Sequence, residues 1–117
     1  MKRNILLELS QEFAVSIINL SNSLRNKKES SLADQIKRSG TSISANISEG
    51  NHPQSRADMI SKFEIALKEA NETENWLIVL HKSNLITCDE FAPLHKKVVK
   101  IKILLIASIK TLKHQVK

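Results

Sequence analysis

Residues 42–50 have the sequence Ser42-Ile43-Ser44-Ala45-Asn46-Ile47-Ser48-Glu49-Gly50, and this stretch decides the fold. Ile36, Ile43 and Ile47 are spaced by 7 and then 4 residues, which puts them on one face of a helix. Serine, threonine and glycine are poor intrinsic helix formers, so tertiary packing must hold the segment helical. We expect its small side chains to let neighbouring helices approach closely.

The stretch also resembles a family signature. Seven of its residues match the S-I-x-A-N-I-x-E-G signature of the four-helix-bundle proteins encoded in bacterial 23S rRNA intervening sequences: Ser42, Ile43, Ala45, Asn46, Ile47, Glu49 and Gly50. The resemblance continues over nearly the whole chain, through Ser55, Ile60, Ile65-Ala66, Glu72, Glu74 and Leu85-Ile86. Two departures stand out, because Ser44 replaces an expected proline and Lys68-Glu69 replace a pair of small residues.

The resemblance implies an all-α protomer, an antiparallel up-down four-helix bundle, in a ring-like homo-oligomer that would be a pentamer. The family is similar to the accessory protein of diversity-generating retroelements, which binds nucleic acid and a reverse transcriptase. We therefore expect an oligomeric helical protein, and the seven signature residues are expected to serve its packing.

The composition agrees with this expectation. A chain of 117 residues with only two glycines and two prolines indicates one domain, residues 1–117, built from long helices. No apolar run reaches the roughly 20 residues that span a bilayer, and Glu8, Gln11 and Glu12 interrupt any signal-peptide pattern. We expect a cytoplasmic protein. Cys88 is the only cysteine, which excludes an intrachain disulfide.

Apolar residues at spacings of 3 and 4 predict four helices, at about residues 4–26, 31–50, 55–83 and 88–115. Ser31 with Asp34 resembles a capping box for the second helix, and Thr87 with Glu90 forms a clear one for the fourth.

The fourth helix carries a second apolar stripe, Val99, Ile103 and Ile106, on a different face from its core stripe. The outer face of a helix in a four-helix monomer should be polar and exposed to solvent, so this apolar stripe predicts a subunit interface. Residues 98–103 contain β-branched apolar residues that alternate with lysines, so a strand is the alternative. The helical pattern is favoured because it spans a longer window and follows a strong cap.

The net charge of +6 is unevenly distributed. Residues 1–90 hold 11 Lys and Arg against 12 Asp and Glu, whereas residues 91–117 hold seven Lys and no acid. A basic terminal helix suggests an anionic partner, namely nucleic acid with RNA favoured, and the alternative is a solvated face that only supplies solubility. The first candidates for phosphate contacts are Lys96, Lys97, Lys100, Lys110 and Lys113, and the second choice is Arg25, Lys27, Lys28, Lys37 and Arg38.

Enzyme signatures are weak. One Glu-x-x-His pair, Glu49 and His52, crosses Gly50 and has no second copy, which disfavours a di-metal site. No zinc-binding His-x-x-x-His, nucleophile elbow, phosphate loop or dinucleotide fingerprint is present. We expect no enzyme, no cofactor and no metal. Two hypotheses remain: a nucleic-acid-binding oligomer, or a protein–protein adaptor that docks a nucleic-acid enzyme such as a reverse transcriptase.

Overall fold

The computed structural model describes residues 4–115, and this part of the chain is all-α with four helices and no strand. The helices are α1 (Ile5–Asn26), α2 (Ser30–Gly50), α3 (Arg56–Lys82) and α4 (Cys88–His114). Their limits lie within one residue of the predicted ones, which is the ordinary uncertainty of helix ends. Residues 98–103 lie inside α4, so the strand alternative is wrong.

Side chains cap three of the four helix starts. Asn4 and Ser55 each accept a hydrogen bond from a backbone N–H in the first turn of α1 and α3. At α4 the predicted capping box is confirmed, because Thr87 Oγ1 accepts from the Glu90 N–H at 3.1 Å and Glu90 Oε1 accepts from the Thr87 N–H at 2.9 Å.

The capping box predicted for α2 is wrong. The helix begins at Ser30 and is preceded by Glu29, whose side chain makes no capping hydrogen bond. Asp34 instead forms an ion pair with Arg25 of α1. The carboxylate that would have capped α2 therefore ties α2 to the preceding helix.

The core runs the length of the four helices. Each helix packs against the next, and the contact between α1 and α4, which is sparser, closes the bundle. The largest fully buried side chains come from all four helices: Phe13, Ile17, Leu24, Ile36, Ile43, Ile47, Leu77, Leu80, Ile101 and Leu105. Trp76 is half-buried and packs against this core.

Two glycines of α2 set how closely the helices approach. A Cβ atom added at Gly40 would lie 2.7 Å from Ile17 Cγ2 of α1. One added at Gly50 would lie 2.6 Å from Phe63 Cε1 of α3. Real Cβ atoms do not come so close to other heavy atoms. The absence of a side chain at these two glycines therefore lets α2 approach both neighbouring helices, as we expected from the small residues in its sequence.

The middle of the α2–α3 contact is polar. Ser39 and Thr73 are fully buried, and their hydroxyl oxygens lie 2.9 Å apart. Each hydroxyl also has a backbone acceptor within its own helix, because Thr73 Oγ1 lies 2.8 Å from the Glu69 carbonyl oxygen and Ser39 Oγ lies 3.4 Å from the Ile36 carbonyl oxygen. Both hydroxyls are therefore satisfied, as buried polar groups must be.

Candidate nucleic-acid and subunit interface

The solvent side of α4 carries one straight row of residues, Lys96, Val99, Ile103, Ile106 and Lys110, which we call the α4 row. Its spacings of 3, 4, 3 and 4 place it on one helix face, which differs from the face of the buried Val98, Ile101, Leu105 and Ile109. Ile103 is 61% exposed and Ile106 is 51% exposed, whereas Val99 is half-buried. Two residues of the predicted second stripe, Ile103 and Ile106, thus lie on the surface of the single chain, whereas Val99 packs against the core.

Four of the five first-choice lysines carry uncompensated charge. Lys96, Lys97, Lys100 and Lys110 are exposed, and none of them forms an ion pair within residues 4–115. Lys113 differs, because its Nζ lies 3.0 Å from Glu64 Oε2 of α3. The described part of α4 beyond Glu90 contains no acidic residue, so the charge is not neutralised along the helix either.

The second-choice residues are mostly engaged. Arg25 pairs with Asp34, and Lys27 Nζ donates to the Leu85 carbonyl oxygen at 2.7 Å. The latter contact brings the end of α1 to the α3–α4 loop, close to where α4 begins. Lys28 and Lys37 are exposed and form no ion pair in the described part of the chain.

Arg38 is held at the α2–α3 contact and not on the α4 surface. Its guanidinium donates to Glu72 and, at 3.0 Å, to Glu69 Oε2. The hydrogen bond to Glu72 is the main cause that raises the pKa of Arg38 above its ordinary value. Both carboxylates come from α3, so this arginine links two helices and has less freedom to bind a phosphate.

A line of polar and aromatic side chains joins α3 to α4, and it was missed from the sequence. Lys102 Nζ lies 2.5 Å from Glu74 Oε1, and His95 Nε2 lies 2.9 Å from Glu74 Oε2. The His95 ring stacks on Phe91 with centroids 4.9 Å apart, and Phe91 stacks on His81 at 4.4 Å. The residues lie on two helices, so no local sequence pattern identifies them.

The line ends at the first residue of α4. His81 Nε2 lies 3.3 Å from Cys88 Sγ, and the cysteine is exposed. Cys88 thus occupies a helix start, as expected from its place in the sequence, and contacts the preceding helix through His81.

The hydrogen bond from Lys102 lowers the pKa of Glu74, and the smaller contribution of His95 acts in the same direction, against the effect of burial. A carboxyl group whose pKa is lower in the folded state stabilises the fold above the ordinary carboxyl range, and this contribution is lost as the pH falls through the folded pKa. We expect Lys102→Met to lower the free energy of unfolding at neutral pH by about 1 kcal/mol, because Glu74 keeps His95 and partial contact with solvent.

The measurement is chemical denaturation of the wild type and Lys102→Met at several pH values. The difference between the two proteins should shrink as the solution is acidified below the ordinary carboxyl range, because Glu74 is then protonated in both. Lys97→Met is the matched control, since Lys97 is exposed on the same helix and unpaired among the described residues. A difference that stays constant with pH would contradict the assigned role of Glu74.

The Glu49–His52 pair does not form a site. Glu49 Oε1 lies 3.4 Å from Lys62 Nζ, and His52 Nδ1 lies 3.1 Å from the Ser48 carbonyl oxygen, along an open concavity of about 410 Å³. No group of three or more His, Cys, Asp or Glu side chains that could hold a metal ion exists in the described residues. Over the same range, no helix is long and apolar enough to cross a membrane.

Comparisons with known proteins agree with this architecture. The model of the family described as 23S rRNA-intervening sequence protein matches residues 2–107. A crystal structure at 1.70 Å resolution of a protein with unknown function from the S23 ribosomal protein family, from Bacteroides thetaiotaomicron VPI-5482, is 49% identical. The match covers 90% of this chain and 98% of that one, with a TM-score of 0.88. No curated protein matches the chain.

Proposed function

Because the chain belongs to the 23S rRNA-intervening sequence protein family, we propose that it is a non-enzymatic, oligomeric helical-bundle protein that binds the phosphate backbone of nucleic acid in the cytoplasm, RNA in preference to DNA. The observation that carries this proposal is the set of exposed lysines on α4 with no ion partner among residues 4–115. Unneutralised cationic groups on one helix are what a phosphate backbone requires.

The exposed isoleucines of the α4 row support self-association. Ile103 and Ile106 lie close together on one face, and covering them removes apolar surface from water at about 25 cal/mol per Å². Association would also bring the lysines of several α4 helices into one surface, and such multivalency raises affinity by about 10² to 10⁴. The family resemblance implies a ring-like homopentamer.

We infer further that the protomer is an antiparallel up-down bundle. Three contacts support it: Ser21 near the end of α1 donates to the Ala33 carbonyl near the start of α2, Lys27 at the end of α1 reaches Leu85 after α3, and Arg56 at the start of α3 bonds Gln115 after α4. Each contact joins ends that meet when consecutive helices reverse direction.

The binding should follow charge and not base identity. The chain has no tyrosine, one tryptophan and three phenylalanines, and Trp76 packs against the core and not outward as a stacking platform. Modules that read single-stranded RNA depend on exposed aromatic side chains. Phosphate contacts remain, and their strength falls steeply as salt displaces them.

A gel-shift titration tests the proposal. RNA and DNA of equal length are titrated with the protein at a series of salt concentrations, and the apparent Kd is plotted against salt on logarithmic axes. We expect a linear loss of affinity with a slope of about 0.7 per phosphate contacted for single strands. Binding no tighter than that of an unrelated protein of equal net charge, at physiological salt, would contradict the proposal.

That negative result would favour the second candidate, an adaptor that docks a nucleic-acid enzyme such as a reverse transcriptase, as the similarity to the retroelement accessory protein suggests. One observation favours it independently. Ile65 and Val79 are both exposed on the outer side of α3, 14 residues apart and thus on one face, with Glu72 midway between them. Such a mixed apolar face suits a protein partner better than a nucleic acid.

A further inference from the structure

A concavity of about 440 Å³ is lined by three side-chain amides, those of Asn4, Asn51 and Gln115. These residues flank the start of α1, the end of α2 and the end of α4, and the first turn of α3 completes the wall with Met59. The volume falls within the range of about 300 to 1,000 Å³ that is typical of small-molecule pockets, which combine apolar walls with a few polar groups.

The amide of Asn51 has no partner within the described chain. Its Nδ2 atom is buried, and it forms no hydrogen bond among residues 4–115. Asparagine is favoured after a helix where φ is positive, but Asn51 has φ −79° and ψ −8°, so the backbone does not require asparagine here. An unpaired buried donor is costly and rare in native proteins. A bound acceptor would satisfy it.

The other two amides also offer donors to this space. Asn4 Oδ1 accepts from the Leu7 N–H at 3.0 Å, and Gln115 Oε1 accepts from Arg56 Nη1 at 2.7 Å. Because these bonds occupy the two oxygens, the NH2 groups of Asn4 and Gln115 are left without a partner in the same range of residues. An occupant of the concavity must therefore supply acceptors.

The charge and the walls of the concavity narrow the class of acceptor. Arg56 is exposed beside Gln115 and forms no ion pair among the described residues, and the described lining contains no acidic side chain. This charge favours an anion. Leu6, Met59 and Leu112 supply apolar walls, which a phosphate group would not use. A carboxylate is an acceptor-only anion that can be carried on an apolar body.

We propose that the concavity binds a small carboxylic acid with an apolar body. Its carboxylate accepts from the NH2 groups of Asn51 and Gln115 beside Arg56, and its body packs on Met59 and Leu112. Asn51 as a whole is half-buried, so rotation of its amide turns Nδ2 toward the occupant. The inference goes beyond the proposed function and does not depend on it, since no residue of the α4 row lines the concavity.

Nuclear magnetic resonance on the isotope-labelled full chain tests the proposal, because each side-chain NH2 group gives its own signals. Acetate, 3-methylbutanoate and phenylacetate are titrated at constant ionic strength, and the neutral phenylacetamide is the comparison. We expect saturable shifts of the Asn51 and Gln115 signals and an affinity that rises from acetate to phenylacetate, because more apolar surface is buried. Phenylacetamide should bind about tenfold more weakly, because hydrogen bonds to an anion are stronger.

Two results would overturn the proposal. If none of the three acids gave a saturable shift of these NH2 signals, the concavity would not be a carboxylate site. If phenylacetamide bound as tightly as phenylacetate, the occupant would not be selected by its charge.

A substitution of Asn51 separates binding from folding. Asn51→Leu should bind phenylacetate about tenfold more weakly, whereas its urea midpoint should equal or exceed that of the wild type, because an unpaired buried donor is removed. Asn22→Leu is the matched control, since Asn22 is an exposed asparagine of α1 that does not line the concavity, and it should bind as the wild type does. A urea midpoint of Asn51→Leu below those of both other proteins would contradict the unpaired state of this amide.

A substitution of Gln115 tests the site without touching a buried group. Gln115→Glu keeps an acceptor for Arg56 but replaces the NH2 donor with a carboxylate oxygen. Like charges then face each other, so binding of phenylacetate should fall about tenfold or more while the fold is unchanged. Binding of phenylacetate by Gln115→Glu as tight as that of the wild type would overturn the site.

Discussion

Replacing Gly40 with leucine is expected to lower the free energy of unfolding by about 3 kcal/mol or more, or to abolish cooperative folding. The added Cβ alone would lie 2.7 Å from Ile17 Cγ2 and 3.0 Å from Ile17 Cβ, and Ile17 is fully buried. A Cβ atom cannot rotate away from its own backbone, so relief requires α1 and α2 to separate. Glycine inside a helix costs about 1 kcal/mol relative to alanine, and only this close approach explains its presence.

Urea denaturation followed by circular dichroism measures the effect. Ala45→Leu is the matched control, because Ala45, although expected to pack as a signature residue, is exposed on the same helix of the single chain and also exchanges a small residue for leucine. It should stay within about 0.5 kcal/mol of the wild type. If Gly40→Leu were as stable as Ala45→Leu, α1 and α2 would not approach as closely as described.

The double variant Lys97→Glu/Lys100→Glu is expected to bind nucleic acid about 100-fold more weakly, or weaker still, at physiological salt. Each lost phosphate contact reduces the salt slope by about 0.7 to 0.9, and each new glutamate repels the backbone. The loss is repeated in every copy of the assembly, so it is compounded by multivalency. The gel-shift titration measures both the affinity and the slope, and the molar mass should not change.

Lys68→Glu/Lys82→Glu supplies the comparison. These two lysines are exposed on α3 and form no ion pair within the described range, and the variant makes the same change in net charge. We expect the affinity of this control for nucleic acid to fall about tenfold or less, with a salt slope close to that of the wild type. Equal losses in the two variants would mean that binding follows net charge and not the surface of α4.

The helices could be predicted from the sequence because their signals are local. The spacing of apolar residues by 3 and 4 continues through α4, and the capping box of Thr87 and Glu90 fixes where the helix starts. These two signals favoured a helix over the strand that the alternation at residues 98–103 would allow. The second stripe of α4 was visible for the same reason. A helix that is apolar on two sides has more apolar surface than its own bundle can bury.

Interactions between helices could not be predicted in the same way. The sequence shows Arg38 as an exposed arginine on α2, and only the register of α2 against α3 places Glu69 and Glu72 beside it. Asp34 likewise fitted a local capping pattern, yet Arg25 of α1 lies close enough to take its carboxylate. A charged side chain on a helix surface pairs with whichever neighbour the packing supplies.

The same limit applies to the candidate site. The sequence identified the lysines of α4 but not which of them are paired, and Glu64 of α3 engages only Lys113. It also missed Lys102 and His95 on Glu74, because that contact depends on how α3 and α4 align. Composition therefore indicates the sign of the partner's charge, and the packing decides which residues are free to meet it.

We infer that the α4 row makes copies of this protein associate. The most direct test of this association is the molar mass in solution, measured by light scattering on the wild type and on Ile103→Lys. We predict a wild-type mass that is a multiple of the 13.2 kDa chain, five-fold by family resemblance, and a soluble, fully helical single copy for Ile103→Lys. A wild-type protein that remains at 13.2 kDa at high concentration would contradict the claim.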